Sequence, residues 1–334
     1  MSPFFTEAAT TPAALHELIA WYHGPGGEVL AAAARAFRDG GCRRIAFAGM
    51  GSSYSAPFAV VDCLRAHGIT AIAATAHRLA SDRTGLIAAD TMVVAISKSG
   101  GTKEILDLAD ALPGSRGLIA LTNQPESELA RRAAFVLPMM TGRETQIASK
   151  SFVCTLAVLN LLAGELPGAP RPEQLARLLE IAAWASAYFE TAADNNRPLL
   201  AAIANCRCID AIASGASFST AYKSALVLRE VPHVTAAAID AADYAHGWAK
   251  TAGPGYAGIM LAPDYQPKSV EARAVAQILD RGASAILITA GTAPAQDGLT
   301  VLRHPPVPEP LAPLPQAVAC DAMIGAMPDR APHP

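Results

Sequence analysis

The sequence predicts an α/β protein with two parallel sheets, each flanked by helices. Short β-branched runs alternate with longer helical patterns, and small-residue turns follow the first runs directly. The order of elements in the first half also returns in the second, although residue identity does not visibly repeat. At 334 residues the chain suits two domains. With 51% hydrophobic and 16% charged residues it carries a sizeable core.

Helical periodicity covers residues 11–39, with Leu15, Leu18, Ile19 and Tyr22 on one face. It breaks at Gly24-Pro25-Gly26-Gly27, resumes over 29–37 and stops at Gly40-Gly41. The first strand, 44–48, turns through Gly49-Met50-Gly51-Ser52-Ser53-Tyr54-Ser55 into a helix over 56–66. Strands follow at 70–75 and 92–96, the latter running through Ser97-Lys98-Ser99-Gly100-Gly101-Thr102 into a helical pattern from Lys103. A strand at 118–122, a helix seeded by Ser127, Glu128 and Leu129, and a strand at 135–138 complete the set.

A long apolar helix then extends through Leu166, and the proline-rich stretch 167–172 marks the boundary. Helical residues 173–194 lead to a second set with strands at 208–213, 258–262, 285–289 and 299–302. A proline-rich tail from 305 to 315 runs into a short helix. The domain reading is N-terminal helices over 1–40, a first αβ domain over 41–168, linking helices over 169–195, and a second αβ domain with its tail over 196–334.

A net charge of −3 with no extended Lys/Arg cluster argues against a nucleic-acid partner. The longest apolar stretches, such as 29–34 and 153–163, fall short of the ~20 residues of a membrane span. No basic segment leads into an apolar one at the start, so a cytoplasmic protein without a secretory signal is expected. Six scattered cysteines, with no C-x-x-C, read as reduced thiols rather than a zinc site.

The most informative stretch is 97–102. A strand, a tight loop and a helix start leave backbone N–H groups unpaired where the helix dipole favours an anion. The hydroxyls of Ser97, Ser99 and Thr102 can donate to phosphate oxygens, and two glycines let the backbone approach. An ordinary N-cap loop is the plainer alternative. The Gly49-x-Gly51 turn suggests a dinucleotide, but Tyr54 stands at the third glycine position. The strand at 70–75 gives way to Ala76-His77-Arg78, with no acid for a ribose. Neither a nicotinamide cofactor nor, without G-x-x-x-x-G-K-[ST], a nucleoside triphosphate is expected. Ser52 and Ser53 suit a second edge of the phosphate site, since loops after parallel strands gather at one edge of the sheet.

Six motifs in order then carry a family resemblance over roughly residues 30–330. Gly51-Ser52-Ser53-Tyr54 is similar to a G-[TS]-S-Y turn, and 97–102 to an S-x-S-G-x-T loop. Asn123-x-x-x-Ser127-x-Leu129 is similar to N-x-x-x-S-x-L, and 144–149 to E-x-x-V-A-S. Residues 224–230 resemble G-A-L-K-L-K-E, and Asp243-Tyr244-Ala245-His246-Gly247 resembles E-[FL]-x-H-G-P. Together they resemble the double sugar isomerase (SIS) family, particularly the isomerase portion of glutamine:fructose-6-phosphate amidotransferase and stand-alone phosphosugar isomerases and deaminases.

The resemblance implies two SIS domains, each a flavodoxin-like parallel sheet flanked by helices. It implies a sugar 6-phosphate held by Ser53, Ser97, Ser99 and Thr102, with Gly51, Ser52, Lys98 and Ser149 nearby. Glu230 is then the base between C1 and C2 and His246 assists ring opening from the neighbouring subunit of a homodimer sharing its active sites. Such chemistry needs one carboxylate and one imidazole, and no metal or organic cofactor is expected. On residue type alone, Glu230 also reads as a solvated helix residue beside Arg229, and His246 as a turn residue. Lys150, Lys223 and Lys250 read as surface charges, Lys250 above all.

The chain also departs from the pattern. Ser2 stands where an amidotransferase has its catalytic cysteine, so glutamine-dependent transfer is not expected. No lysine follows Lys268, where the family carries a Schiff-base lysine near its end. Trp248 replaces a usual proline, and Tyr222 stands at a position often acidic. The expected function is isomerisation, with or without deamination, of a hexose or hexosamine 6-phosphate. A non-catalytic sugar-phosphate regulator and a fructosamine-6-phosphate deglycase are the alternatives.

Overall fold

The computed structural model describes residues 2–81, 85–112, 117–145 and 147–330. Gln146, inside the 144–149 motif, and tail residues 331–334 lie outside them. The chain divides into two compact units, one of residues 13–144 and 150–180, the other of residues up to 12, 145–149 and from 181 onward.

The 13–144 unit holds five parallel strands: β1 (Arg44–Gly49), β2 (Thr70–Thr75), β3 (Thr91–Ile96), β4 (Leu118–Thr122) and β5 (Phe135–Pro138). Their order is β2-β1-β3-β4-β5, the doubly wound flavodoxin-like arrangement. Every residue of β3 and β4 is buried, as strands covered on both faces require, and their sequences are accordingly continuous apolar runs. Ala46, Val93, Ala95, Leu118 and Ala120 pack with Ile105, Leu108 and Leu129 from the helices. The helix Lys150–Glu165 has fourteen of its sixteen residues buried, matching a sequence that is apolar all round.

Two boundaries in this unit differ from expectation. The helix after the first break starts at Pro25, because proline at the first helical position needs no N–H and has its φ preset. Gly26 and Gly27 stay inside it because Trp21 and Arg171 occupy the space their Cβ atoms would need. The helix expected over 56–66 starts at Phe58 with Pro57 as its N-cap, and the preceding turn contains a separate short helix, Ser52–Ser55.

The other unit holds β6 (Cys208–Ala213), β7 (Ala238–Asp240), β8 (Tyr256–Leu261), β9 (Ser284–Thr289) and β10 (Leu299–Arg303), all parallel, in the order β10-β9-β8-β6-β7. Taken from the β7 edge this is the same permutation as the first sheet. Ile212, Ile239, Tyr244, Met260, Ile278 and Leu287 lie in its core. β7 was not expected, since three residues show no periodicity. It is fixed from outside by its pairing to β6 and by Asp210, which accepts from the Ala237 N–H at 2.8 Å.

The helical stretch 173–194 is Arg171–Glu190 followed by Ala192–Ile203. The short helix expected in the tail is Pro313–Gly325, and all thirteen of its residues are buried. Asp321 on that helix pairs with Lys223, whose ammonium also lies 5.4 Å from the Phe4 ring centroid. Lys223 and Lys150 are therefore buried, correcting their reading as surface charges, and only Lys250 of the three is exposed. The six cysteines are free thiols, buried or half-buried.

Candidate functional site

The strand order of the first sheet reverses between β2-β1 and β3, and ligands of such sheets bind at the carboxyl ends flanking that switch point. The register Ala48↔Ala95 makes the ends of β1 and β3 level, so the 49–53 turn and the 97–102 loop leave adjacent strands side by side. These are the two stretches expected to face one phosphate.

Local chemistry fixes both loops. Gly49 has no Cβ because the backbone of Ser53 and Tyr54 occupies that space, which draws the turn onto the strand end. Gly51 has φ of 55°, a left-handed conformation open to glycine. In the second loop, Gly100 has φ of 62°, and the Ser127 side chain occupies the place of its Cβ. The Leu129 N–H donates to the Gly100 carbonyl at 3.0 Å, and the Asn123 N–H to the Lys98 carbonyl at 3.1 Å. The phosphate loop is thereby fastened to the loop after β4.

The candidate hydroxyls differ in role. Ser97 is buried; its Oγ lies 2.8 Å from Thr102 Oγ1 and accepts from the Gly100 N–H at 3.1 Å, so it braces the loop from within. Ser99 is exposed and accepts from the Gly101 N–H at 3.3 Å. Thr102 is the N-cap of helix Lys103–Ala111 but makes no capping bond with its side chain, leaving the first-turn N–H groups uncapped by it. Ser52 and Ser53 are half-buried and Gly51 is exposed. Exposed hydroxyls, uncapped amides and a helix start favour an anion here.

Lys98 lies 3.3 Å from Glu144, whose side chain is fully buried. Glu144 also accepts from the Ser151 N–H at 3.0 Å and from the Ser151 hydroxyl, at the start of helix Lys150–Glu165. The Lys98 charge is thus half-buried and partly balanced within the protein. The sequence marked both residues as motif members, but nothing local in it announces that they pair.

A groove of about 760 Å³ adjoins the loop on the β4–β5 side, with Lys98 and Ser99 in its wall. Trp21, Pro125, Pro138 and Met140 supply its apolar surface; Glu17, Asn123, Arg143 and Glu144 are among its polar groups. Met140 has φ of 53°, unusual for a residue with a side chain. Asn123 clamps that turn by accepting from the Thr141 N–H at 2.9 Å and donating to the Gly142 carbonyl at 2.8 Å. Trp21 and Met140 escaped sequence reasoning, because helix periodicity explains the first and an unremarkable loop contains the second.

Ser149, Glu230 and His246 belong to the other compact unit. Ser149 is buried. Glu230 ends the helix Phe218–Glu230 and is exposed, yet partial desolvation raises its carboxyl above the usual value, with the Lys223 charge opposing. His246 is exposed on a turn, its N–H bonded to the Asp243 carbonyl at 2.8 Å. Trp248, 44% exposed, donates its indole N–H to Asp243 at 3.0 Å.

Residues 41–164 match the family model described as SIS domain. This part of the chain is a SIS domain. The chain is 30% identical over 237 residues to a glutamine–fructose-6-phosphate aminotransferase (isomerizing) of Zymomonas mobilis, covering 67% of this chain and 39% of that one. It is 27% identical over 208 residues to a protein of the same name from Bradyrhizobium diazoefficiens, covering 59% and 34%. The match thus spans less than two fifths of these curated relatives.

Among solved structures, it resembles the C-terminal domain of glucosamine-fructose-6-phosphate aminotransferase from Francisella tularensis. The TM-score is 0.83 at 18% identity, over 96% of this chain and 94% of that one. It also resembles glucosamine-6-phosphate deaminase from Thermotoga maritima, with a TM-score of 0.72 at 18% identity over 96% and 92%. The SIS sheet and its sister of identical strand order match a two-SIS-domain fold. Among the described residues no helix is long and apolar enough to cross a membrane.

Proposed function

We propose that the chain is a double-SIS enzyme that binds a hexose or hexosamine 6-phosphate and interconverts its aldose and ketose forms, with or without deamination. The observation carrying this reading is the pair of fastened loops at the switch point of the SIS sheet, with exposed Ser99 and uncapped helix amides beside Ser52 and Ser53. The curated relatives bear names of fructose-6-phosphate chemistry, which supports a sugar phosphate as the anion.

In this reading Ser53, Ser99, Thr102 and the first-turn amides take the phosphate oxygens, Ser97 holds the loop in shape, and Lys98 adds positive charge. Gly51 allows close approach, and Ser52 takes a sugar hydroxyl; Ser149, buried in the other unit, is given no contact with the sugar. Glu230 removes the proton from C2 of the open-chain aldose and returns it to C1, while the hydroxyl proton passes from O2 to O1. His246 assists ring opening, contributed by the partner copy of a homodimer.

The test is a thermal-shift panel of hexose and hexosamine 6-phosphates, followed by proton NMR of each stabilising sugar in deuterated water. Exchange at C1 or C2 is expected, with Glu230→Gln leaving sugar binding within a few-fold and abolishing exchange. Stabilisation without exchange in the wild type would instead mark a binding protein, and undiminished exchange in Glu230→Gln would remove Glu230 as the base.

A further inference from the structure

The turn that leaves the first strand of one sheet returns in the other. Gly51, Ser53 and Ser55 after β1 are matched by Gly215, Ser217 and Ser219 after β6, and the two glycines have φ of 55° and 56°. The second sheet has its own switch point between β6 and β8, where a ligand of such a sheet binds. The register Ala213↔Leu261 sets those two strand ends level, as Ala48↔Ala95 does for β1 and β3. A cavity of about 430 Å³ opens there, within the range of small-molecule sites, walled by residues that follow β6, β8, β9 and β10.

Its chemistry is the reverse of the 97–102 loop. Where that loop has Ser97, Ser99 and Thr102, the loop after β8 has Ala262, Pro263 and Asp264. Glu271 and Glu309 add two more carboxylates to the wall, and Glu309 Oε1 lies 2.7 Å from the place a Gly215 Cβ would take. Among the described residues no lysine, arginine or histidine lines the cavity, and the guanidinium of nearby Arg303 is taken by the Gly291 carbonyl. A phosphate there would meet only like charge. Nor do the acids gather around a point: among the described residues no three of His, Cys, Asp and Glu come together as a metal site. Pro263, Pro306 and Val307 give the wall an apolar surface as well.

Two buried polar atoms at these strand ends make no hydrogen bond within the protein. One is Ser214 Oγ, in the cavity wall; the other is Nε2 of His304, a residue 5% exposed just after β10. The Nδ1 of His304 lies 2.9 Å from the Pro305 carbonyl, so Nδ1 carries the proton and Nε2 is an acceptor. Buried acceptors left unpaired are costly, and an N–H donor offsets that cost.

We propose that this cavity is a second ligand site, for a small organic cation carrying ammonium groups on an aliphatic skeleton. The carboxylates take the ammonium groups, and the proline and valine surface takes the methylenes. This goes beyond the sugar-phosphate reading and does not depend on it.

The test is calorimetric titration of putrescine and of its uncharged analogue butanediol at an ionic strength of about 0.15 M, where long-range attraction is screened. The diamine is expected to bind at least about tenfold tighter than the diol. Glu309→Gln and Asp264→Asn are each expected to weaken the diamine about tenfold, the loss of one charge-assisted hydrogen bond. Both substitutions fall on exposed side chains, so the fold is retained. Saturating inorganic phosphate is expected to leave the diamine titration unchanged. Equal affinities for diamine and diol, no saturable diamine binding, full affinity in both variants, or exclusion of the diamine by phosphate overturns the inference. Magnesium chloride displacing the diamine at lower concentration would make this a metal site and overturns it too. None of these outcomes decides the sugar-phosphate reading, which titration of a hexose 6-phosphate tests separately.

Discussion

Glu230 shows how much a single carboxylate depends on its surroundings. Desolvation holds its pKa above the ordinary value, and the Lys223 charge pulls it back. A base must be deprotonated to act, so in the role proposed for Glu230 the acid limb of the rate is expected above that of a free carboxylate. Replacing the buried pair together (Lys223→Met with Asp321→Leu) removes the opposing charge without stranding Asp321. The acid limb of the rate profile is expected to move to higher pH, and an unmoved limb would separate Lys223 from Glu230.

His304 gives a second residue-scale prediction, for stability. Burial lowers its pKa below 6.5, against the opposing Pro305 carbonyl. The folded imidazole therefore binds its proton less readily than the unfolded one. Stability is expected to fall as pH drops below about 6.5 and the unfolded chain takes up the extra proton. Denaturant melts of wild type and His304→Gln across that range check it: the substitution should flatten this part of the slope.

At the scale of elements, the buried helix Pro313–Gly325 is tied to helix Phe218–Glu230 through Asp321 and Lys223. Breaking a buried pair on one side leaves the other charge without compensation, so Lys223→Met alone is expected to cost about 3–5 kcal/mol. The paired replacement should recover most of it in chemical denaturation. Gly100→Ala attacks the phosphate loop, where the left-handed backbone and the Ser127 side chain both exclude a Cβ. It is expected to cost at least about 1 kcal/mol and to weaken phosphate binding.

Nine of the ten strands among the described residues were legible in the sequence as apolar runs between turn residues, the partly buried edge strands β2, β5 and β10 included. β7 was not, because a three-residue strand is defined by its neighbours rather than by its own pattern. The phosphate loop was legible by residue type, but not the division of labour within it. Ser97 and Ser99 look alike in sequence, and only packing turns one inward and leaves the other exposed. Lys223 read as a surface charge for the same reason: its partner is 98 residues away.

Across the whole molecule, two sheets share one strand order and differ in their loops. The first carries small hydroxyl residues and glycines at its switch point. Glu230 and His246, proposed as base and imidazole, lie in the second unit, where Trp248 beside His246 is exposed. Light scattering is expected to return twice the chain mass, and a single-chain mass would remove the shared site.

Binding of a phosphate dianion by the 97–102 loop is open to calorimetric titration of a hexose 6-phosphate into the wild type and the Ser99→Ala, Thr102→Ala double variant. Loss of two hydrogen bonds to a charged group predicts a weakening of about 2 kcal/mol or more, roughly thirtyfold in affinity. An unchanged affinity in the double variant would contradict it.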